Sequence, residues 1–236
     1  MITGVHVKIP SGMRRLFLFV LLALTMVVPA GAGQSAATST ATLRIYLARH
    51  GETEANVAGL TSGWVDAPLT ARGREQAREL AEILNGIPLD GVYSSTLSRS
   101  RDTAATVAGS RAVRAMAGLR ERNWGRFSGG PANAPEYLRR RSLEGDTLDG
   151  GESRGAFYER VRESIAEIRR QHPVGNVLVV GHGATNQQIL RSLLDLTAEQ
   201  AEMIIQGNDE LYALDFVEGR PPLLWKLIRP KNLGDL

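Results

Sequence analysis

Two stretches decide how this chain folds: Leu43-Arg44-Ile45-Tyr46-Leu47-Ala48, which runs into Arg49-His50-Gly51, and Asn176-Val177-Leu178-Val179-Val180, which runs into Gly181-His182-Gly183. Each is a short run of apolar and β-forming residues, the composition of a strand buried in a sheet. Each ends at a histidine next to glycine, and the residues beyond it can start a helix. In an open parallel sheet the carboxyl ends of the strands form the crevice where ligands bind. Two imidazoles delivered there, beside helix N-termini that favour anions, mark a candidate site. A lone histidine is more often structural, but two of the chain's four at equivalent strand ends point to chemistry.

Working outward, Ala77, Leu80, Ala81 and Leu84 sit at the spacing of one helical face and predict a helix over 73–84. Gly91-Val92-Tyr93-Ser94-Ser95 reads as a strand, 97–107 as the helix after it, and 112–116 as a further strand. Phe157, Val161, Ile165 and Ile168 mark a second amphipathic helix, and another runs from Gly183 through Leu194. Thr197-Ala198-Glu199-Gln200 resembles a capping box, and 210–217 and 223–228 read as the last strands. This alternation predicts a single α/β domain over 43–236, with a mostly parallel central sheet and helices on both faces. The stretch 121–151 is rich in Gly and Pro and has no clear period, so it reads as a loop or lid excursion rather than core.

The N-terminus has a different grammar. Met13-Arg14-Arg15 precedes an unbroken apolar run from Leu16 to Val28, followed by Pro29-Ala30-Gly31-Ala32. A short basic segment, an apolar core and small residues in an A-x-A pattern predict a signal peptide over 1–32, with Met13 as a candidate true start. A small, polar linker over 33–42 follows. The expected destination is secreted or periplasmic, with no membrane attachment after cleavage. An uncleaved anchor is the alternative, although the run falls short of the roughly 20 apolar residues of a comfortable span. The chain has 28 basic and 25 acidic residues, and Lys8, Arg14 and Arg15 belong to the leader, which has no acid. The remainder is near neutral, so its charge gives no argument for nucleic acid as a partner. The absence of cysteine removes disulfides, thiolate catalysis and cysteine-bound zinc.

A metal centre is one reading of two converging histidines. Arg49 beside His50 argues for a phosphate or carboxylate instead. The wider sequence then resembles a known family. Leu47-Ala48-Arg49-His50-Gly51-Glu52-Thr53 with Asn56 is similar to the signature of the histidine phosphatase superfamily, in its phosphoglycerate mutase-like branch. Gly63-Trp64-Val65-Asp66, Leu69-Thr70 and Gly73 resemble the segment after that signature. Ser94-Ser95-Thr96-Leu97-Ser98-Arg99 with Thr103-Ala104 resembles its second arginine motif. Leu119-Arg120-Glu121-Arg122 with Gly125 resembles the acidic motif, and Gly181-His182-Gly183 the second histidine. Arg-His-Gly alone is a weak signal; four motifs in the right order make a specific one.

The resemblance implies a phosphomonoester hydrolase that works without a metal or other cofactor on a small phosphorylated molecule. His50 is then the nucleophile and forms a phosphohistidine. Arg49, Arg99 and His182 bind and stabilise the phosphoryl group, with Asn56, Ser62 and Gly63 as further phosphate-binding candidates. Glu121 is the acid that protonates the leaving oxygen. Arg122, Arg140 and Arg141 are candidate anchors for the rest of the substrate, although the triplet Arg139-Arg140-Arg141 also reads as a solvated helix face. The alternative activity is a phosphoglycerate mutase-type transfer. Mutases of the family typically carry a lysine shortly after the acidic motif; that position falls near Ala132, and no lysine lies between the leader and Lys226. A third reading is an exported binder of phosphorylated ligands without turnover. Oligomeric state and substrate identity are not legible.

Overall fold

A computed structural model of the chain describes residues 42–228. The leader expected over 1–32 lies outside these residues, as does all of the expected linker except Thr42, where the first strand already begins. In chain order the elements are β1 (Thr42–Arg49), α1 (Glu54–Val57), α2 (Ala71–Ile83), β2 (Gly91–Ser95), α3 (Ser98–Ala108) and β3 (Val113–Met116). Then come α4 (Pro135–Arg140), α5 (Arg154–Gln171), β4 (Gly175–Gly181), α6 (Gly183–Leu194), α7 (Ala198–Glu202), β5 (Glu210–Val217) and β6 (Leu223–Ile228). The predicted strands and long helices are all present, with ends shifted by only a few residues, as expected where caps decide the boundary. Thr70, for instance, caps α2 by accepting from Gly73 N–H, so that helix begins at Ala71.

The strands form one sheet in the order β3-β2-β4-β1-β5-β6. β4 inserts between β1 and β2 and pairs parallel with both, and β3 pairs parallel with β2. β5 runs antiparallel to β1, and β6 antiparallel to β5. The carboxyl ends of β1, β2, β3 and β4 therefore share one edge of the sheet, with the turn of strand order between β1 and β4.

Alternation along the strands separates two cores. Leu43, Ile45, Leu47, Val177 and Val179 pack on one face with Phe157, Val161, Ile165 and Ile168 of α5 and Ile189, Leu190 and Leu193 of α6. Tyr46, Ala48, Leu178 and Val180 pack on the other with Leu80 of α2 and Ala104 and Ala108 of α3. Helices thus cover both faces, as the sequence predicts.

The excursion after the acidic motif is mostly irregular, as expected. It folds over a small core of its own, in which Trp124, Tyr137 and Leu148 are buried. The Trp124 and Tyr137 rings meet edge-on at 5.3 Å. These residues follow no helical or strand period, which is why the sequence reads as a loop there.

Candidate active site

His50 follows the last residue of β1, and His182 is the N-cap residue of α6 immediately after β4. The register pairs Arg49 with Gly181, and His50 N–H donates to the Gly181 carbonyl at 3.1 Å. The two rings consequently stand with centroids 5.1 Å apart, tilted by 58°. The loop after His50 is pressed against the first turn of α2. A Cβ on Gly73 would lie 2.0 Å from the Glu52 carbonyl oxygen, and one on Gly51 would lie 2.3 Å from that of Gly73. Only glycine permits this approach.

A backbone carbonyl defines the tautomer of His50. His50 Nδ1 lies 2.7 Å from the Gly51 carbonyl, which can only accept, so Nδ1 carries the proton and Nε2 keeps its lone pair. Ser95, at the carboxyl end of β2, lies 2.7 Å from His182 Nε2 through its Oγ, which also accepts from Leu97 N–H. With the Ser95 proton directed to His182 Nε2, the His182 proton sits on Nδ1, a buried atom without a partner. Burial, followed by the charges of Arg49 and Arg99, pushes His50 well below its usual 6.5. Burial, then Arg99 and His50, does the same for His182. Both rings are accordingly neutral at physiological pH.

Arg49 closes β1, and Arg99 lies in the first turn of α3. Asp66 caps that helix by accepting from Ser98 N–H and its hydroxyl. The Arg99 guanidinium donates to the carbonyls of Gly63 at 2.8 Å and Val65 at 3.1 Å, while Arg49 donates to the Gln206 carbonyl at 3.0 Å. The Nε atoms of both arginines are buried without a partner. Burial lowers both guanidinium pKa values, and the negative charge of Glu121 opposes this. Glu121 reaches the same place from the segment after β3. Its Oε2 accepts from Ala184 N–H at 3.1 Å and its Oε1 from Arg122 N–H at 2.8 Å.

Arg49, His50, Arg99 and Glu121 line one cleft of about 230 Å³, together with Asn56, Ser62 and Gly63. Asn56 spends its carbonyl on Thr53 N–H in the capping box of α1, which leaves its amide N–H groups for the cleft. Gly63 adopts a left-handed φ of 52°, with Trp124 and Ser128 where a Cβ would project. His182 is fully buried and is not among the residues lining this cleft, its ring centroid lying 5.1 Å from that of His50.

The candidate anchors divide. Arg122 is buried and donates to the carbonyls of Glu152, Arg141 and Asp146, so it organises the excursion instead of reaching for a ligand. Arg140 is forked onto Asp146 and Asp149 and is not among the residues lining the cleft. Arg139 is exposed. Arg141 does line the cleft, its guanidinium 5.5 Å from the Trp124 ring centre and 5.4 Å from that of Tyr137.

Several residues that sequence reasoning missed support the site. Ser95 directs His182, Asn208 donates to the His50 carbonyl at 2.6 Å, and Gln206 donates to the Leu47 carbonyl while its own carbonyl holds Arg49. Thr103 accepts from Gly51 N–H. Ser95 and Thr103 fall within the second arginine motif, which by itself does not reveal either contact.

Comparison with known proteins agrees with this geometry. The family model of the histidine phosphatase superfamily (branch 1) matches residues 45–227. The chain is 33% identical over 174 residues to the adenosylcobalamin/alpha-ribazole phosphatase of Escherichia coli, covering 66% of this chain and 82% of that protein. It is also 33% identical over 202 residues to phosphoserine phosphatase 1 of Hydrogenobacter thermophilus, covering 82% and 95%. Among solved structures it is similar to the alpha-ribazole phosphatase of Shigella flexneri, with a TM-score of 0.71 and 28% identity over 80% of this chain and all of that one. With its two neighbouring imidazoles, its pair of guanidinium groups at the cleft and this match over most of its length, the chain belongs to the histidine phosphatase superfamily, branch 1.

Proposed function

We propose that this enzyme hydrolyses phosphomonoesters of small molecules through a phosphohistidine on His50. One observation carries the reading. Two donors, Arg49 Nε and Arg99 Nε, and the Nδ1 of His182 are buried without partners near a neutral imidazole with a free lone pair. Buried donors normally find partners, and a phosphoryl group supplies the acceptors missing here.

The chemistry follows from the residues. The Nε2 lone pair of His50 attacks phosphorus, and the bond to the ester oxygen breaks. Glu121 gives its proton to that departing oxygen, so an alcohol leaves. Arg49, Arg99 and the Nδ1–H of His182 hold the charge that builds on the equatorial oxygens. Water then attacks the phosphohistidine and passes a proton to the Glu121 carboxylate as the P–N bond breaks. Phosphate is released, with His50 neutral and the proton returned to the Glu121 carboxyl that delivered it.

Ala132 lines the cleft where the mutase reading needs a lysine, which favours transfer to water. The 3-phosphoglycerate assay separates the two activities: free phosphate is expected, and 2-phosphoglycerate without phosphate release overturns the hydrolase reading. In the same preparations, His50→Ala is expected to abolish an acid-labile, alkali-stable phosphoryl label; equal labelling of variant and wild type removes His50 as nucleophile.

Arg141 makes no ion pair among the described residues and overlooks the cleft, which favours substrates with a second anionic group. A charge-assisted hydrogen bond contributes about 1.5–3 kcal/mol, so Arg141→Ala is expected to raise KM for a carboxylate-bearing phosphate ester ~10-fold or more. The KM for 4-nitrophenyl phosphate should change little. Equal effects on both substrates count against this subsite.

Because the folded state holds both imidazoles neutral, neither ring should titrate near 6.5 in NMR spectra assigned with His50→Ala and His182→Ala. The sign follows from burial and from Arg49 and Arg99, which disfavour imidazolium. Below that pH the unfolded chain takes up protons that the folded chain refuses, so stability falls as the solution is acidified. A His50 ring that protonates at its ordinary pKa contradicts the neutral nucleophile.

The basic and apolar leader supports export to a secreted or periplasmic location. N-terminal sequencing of the mature enzyme is expected to start near Gly33, outside the cytoplasm. A cytoplasmic product that keeps Arg14 and Arg15 rejects export.

A further inference from the structure

We infer that Arg160 and Glu152 form a positioning pair that aims the Glu121 carboxyl for proton transfer, without either side chain touching the substrate. The inference rests on the reading of Glu121 as the acid. The segment that carries Glu121 has no regular structure beyond 3-10 turns over Ala117–Leu119 and Gly125–Phe127. Its backbone carbonyls therefore need partners from elsewhere. Arg160, on α5, supplies most of them. Its Nη1 donates to the carbonyls of Gly118 at 2.9 Å and Arg120 at 3.1 Å, and its Nη2 to that of Glu121 at 3.3 Å.

The other edge of the same guanidinium is forked onto Glu152. Nε reaches Oε1 at 2.7 Å and Nη2 reaches Oε2 at 2.7 Å. Glu152 passes the constraint to the far side of the acid: its Oε2 accepts from Asn123 N–H at 2.8 Å, and its own N–H donates to the Asn123 carbonyl at 2.9 Å. Trp64 Nε1–H adds a bond to the Glu121 carbonyl at 2.8 Å. The backbone on both sides of Glu121 thus converges on one ion pair.

The carboxyl itself is met by a different element. Ala184 N–H donates to it from the first turn of α6, where the Thr185 hydroxyl donates to the Arg120 carbonyl at 2.9 Å. Any slip of the segment against α6 swings the carboxyl away from the cleft. Neither Arg160 nor Glu152 lines that cleft; Arg160 instead faces a separate groove with Trp64 and Arg120. Only a planar fork with five donors satisfies two carboxylate oxygens and several carbonyls together, and a lysine ammonium has three donors on a flexible stem.

Comparing kcat/KM for a simple alkyl phosphate with kcat/KM for 4-nitrophenyl phosphate tests the pair. Both values report transfer to His50, but an alkoxide needs the proton from Glu121, whereas nitrophenolate leaves without it. Glu121→Gln sets the reference, with an expected loss of ~100-fold or more on the alkyl ester and a far smaller one on the aryl ester. Misplacing an acid costs less than removing it, so Arg160→Lys and Glu152→Gln are each expected to lower the alkyl-to-aryl ratio ~10-fold. Equal losses on the two esters mean a merely structural pair and overturn the inference. If Glu121→Gln splits the esters and neither pair variant does, the positioning pair fails while the acid stands. If Glu121→Gln itself shows no split, the acid reading fails and takes the pair with it. Should one pair variant not accumulate as folded protein, the other decides.

Discussion

The parallel pairing of β1 with β4 is the constraint on which the rest depends. Its last rung sets Arg49 against Gly181, and the next hydrogen bond, from His50 N–H to the Gly181 carbonyl, brings the two histidines together. A slip of one residue would exchange the faces of every side chain on the strand. Ile45 and Leu47 would leave the core under α5 and α6, and Tyr46 and Ala48 would leave the one under α2 and α3. The cores therefore enforce the register, and the register places the chemistry.

Electrostatics explains what such a place is for. Two guanidinium groups are brought close to two imidazoles, and Glu121 is the one acid among the residues lining the cleft. Burying like charges is costly, and here the cost is divided in two ways. The imidazoles stay neutral, pushed down by burial and by the arginines, and the guanidinium groups donate to carbonyls of Gly63, Val65 and Gln206. Asp66 also meets the Arg99 charge at 3.7 Å, and the unpaired Nε atoms remain as a demand for a compact anion. The same neutrality keeps His50 Nε2 available as a nucleophile.

Much of this was legible along the chain because its signals are local. An apolar run that stops at a histidine next to glycine is a statement about a few adjacent residues, and it survives without knowledge of the partner strand. The supporting groups were hidden for the opposite reason. Ser95 acts on a histidine 87 residues away, and Asn208 acts on a carbonyl 158 residues away. A lone serine or asparagine carries no mark of such a partner. The arginines after the acidic motif were ambiguous because charge alone does not say what it faces. Arg140 meets Asp146 and Asp149, Arg122 meets backbone carbonyls, and Arg141 stacks beside Trp124 at the cleft. Likewise Trp124, Tyr137 and Leu148 form a core without a period, which no pattern search along the chain reports.

By itself the amino-acid sequence determined the α/β layering, the strand ends that carry His50 and His182, and the motif order that includes Arg49, Arg99 and Glu121, because periodicity and turn chemistry are properties of neighbouring residues. Only the tertiary structure decided the tautomer of His50, which arginine of the triplet overlooks the cleft, and how the Glu121 segment is held. Those depend on hydrogen-bond partners and like charges that the chain brings within a few ångströms only when the sheet closes.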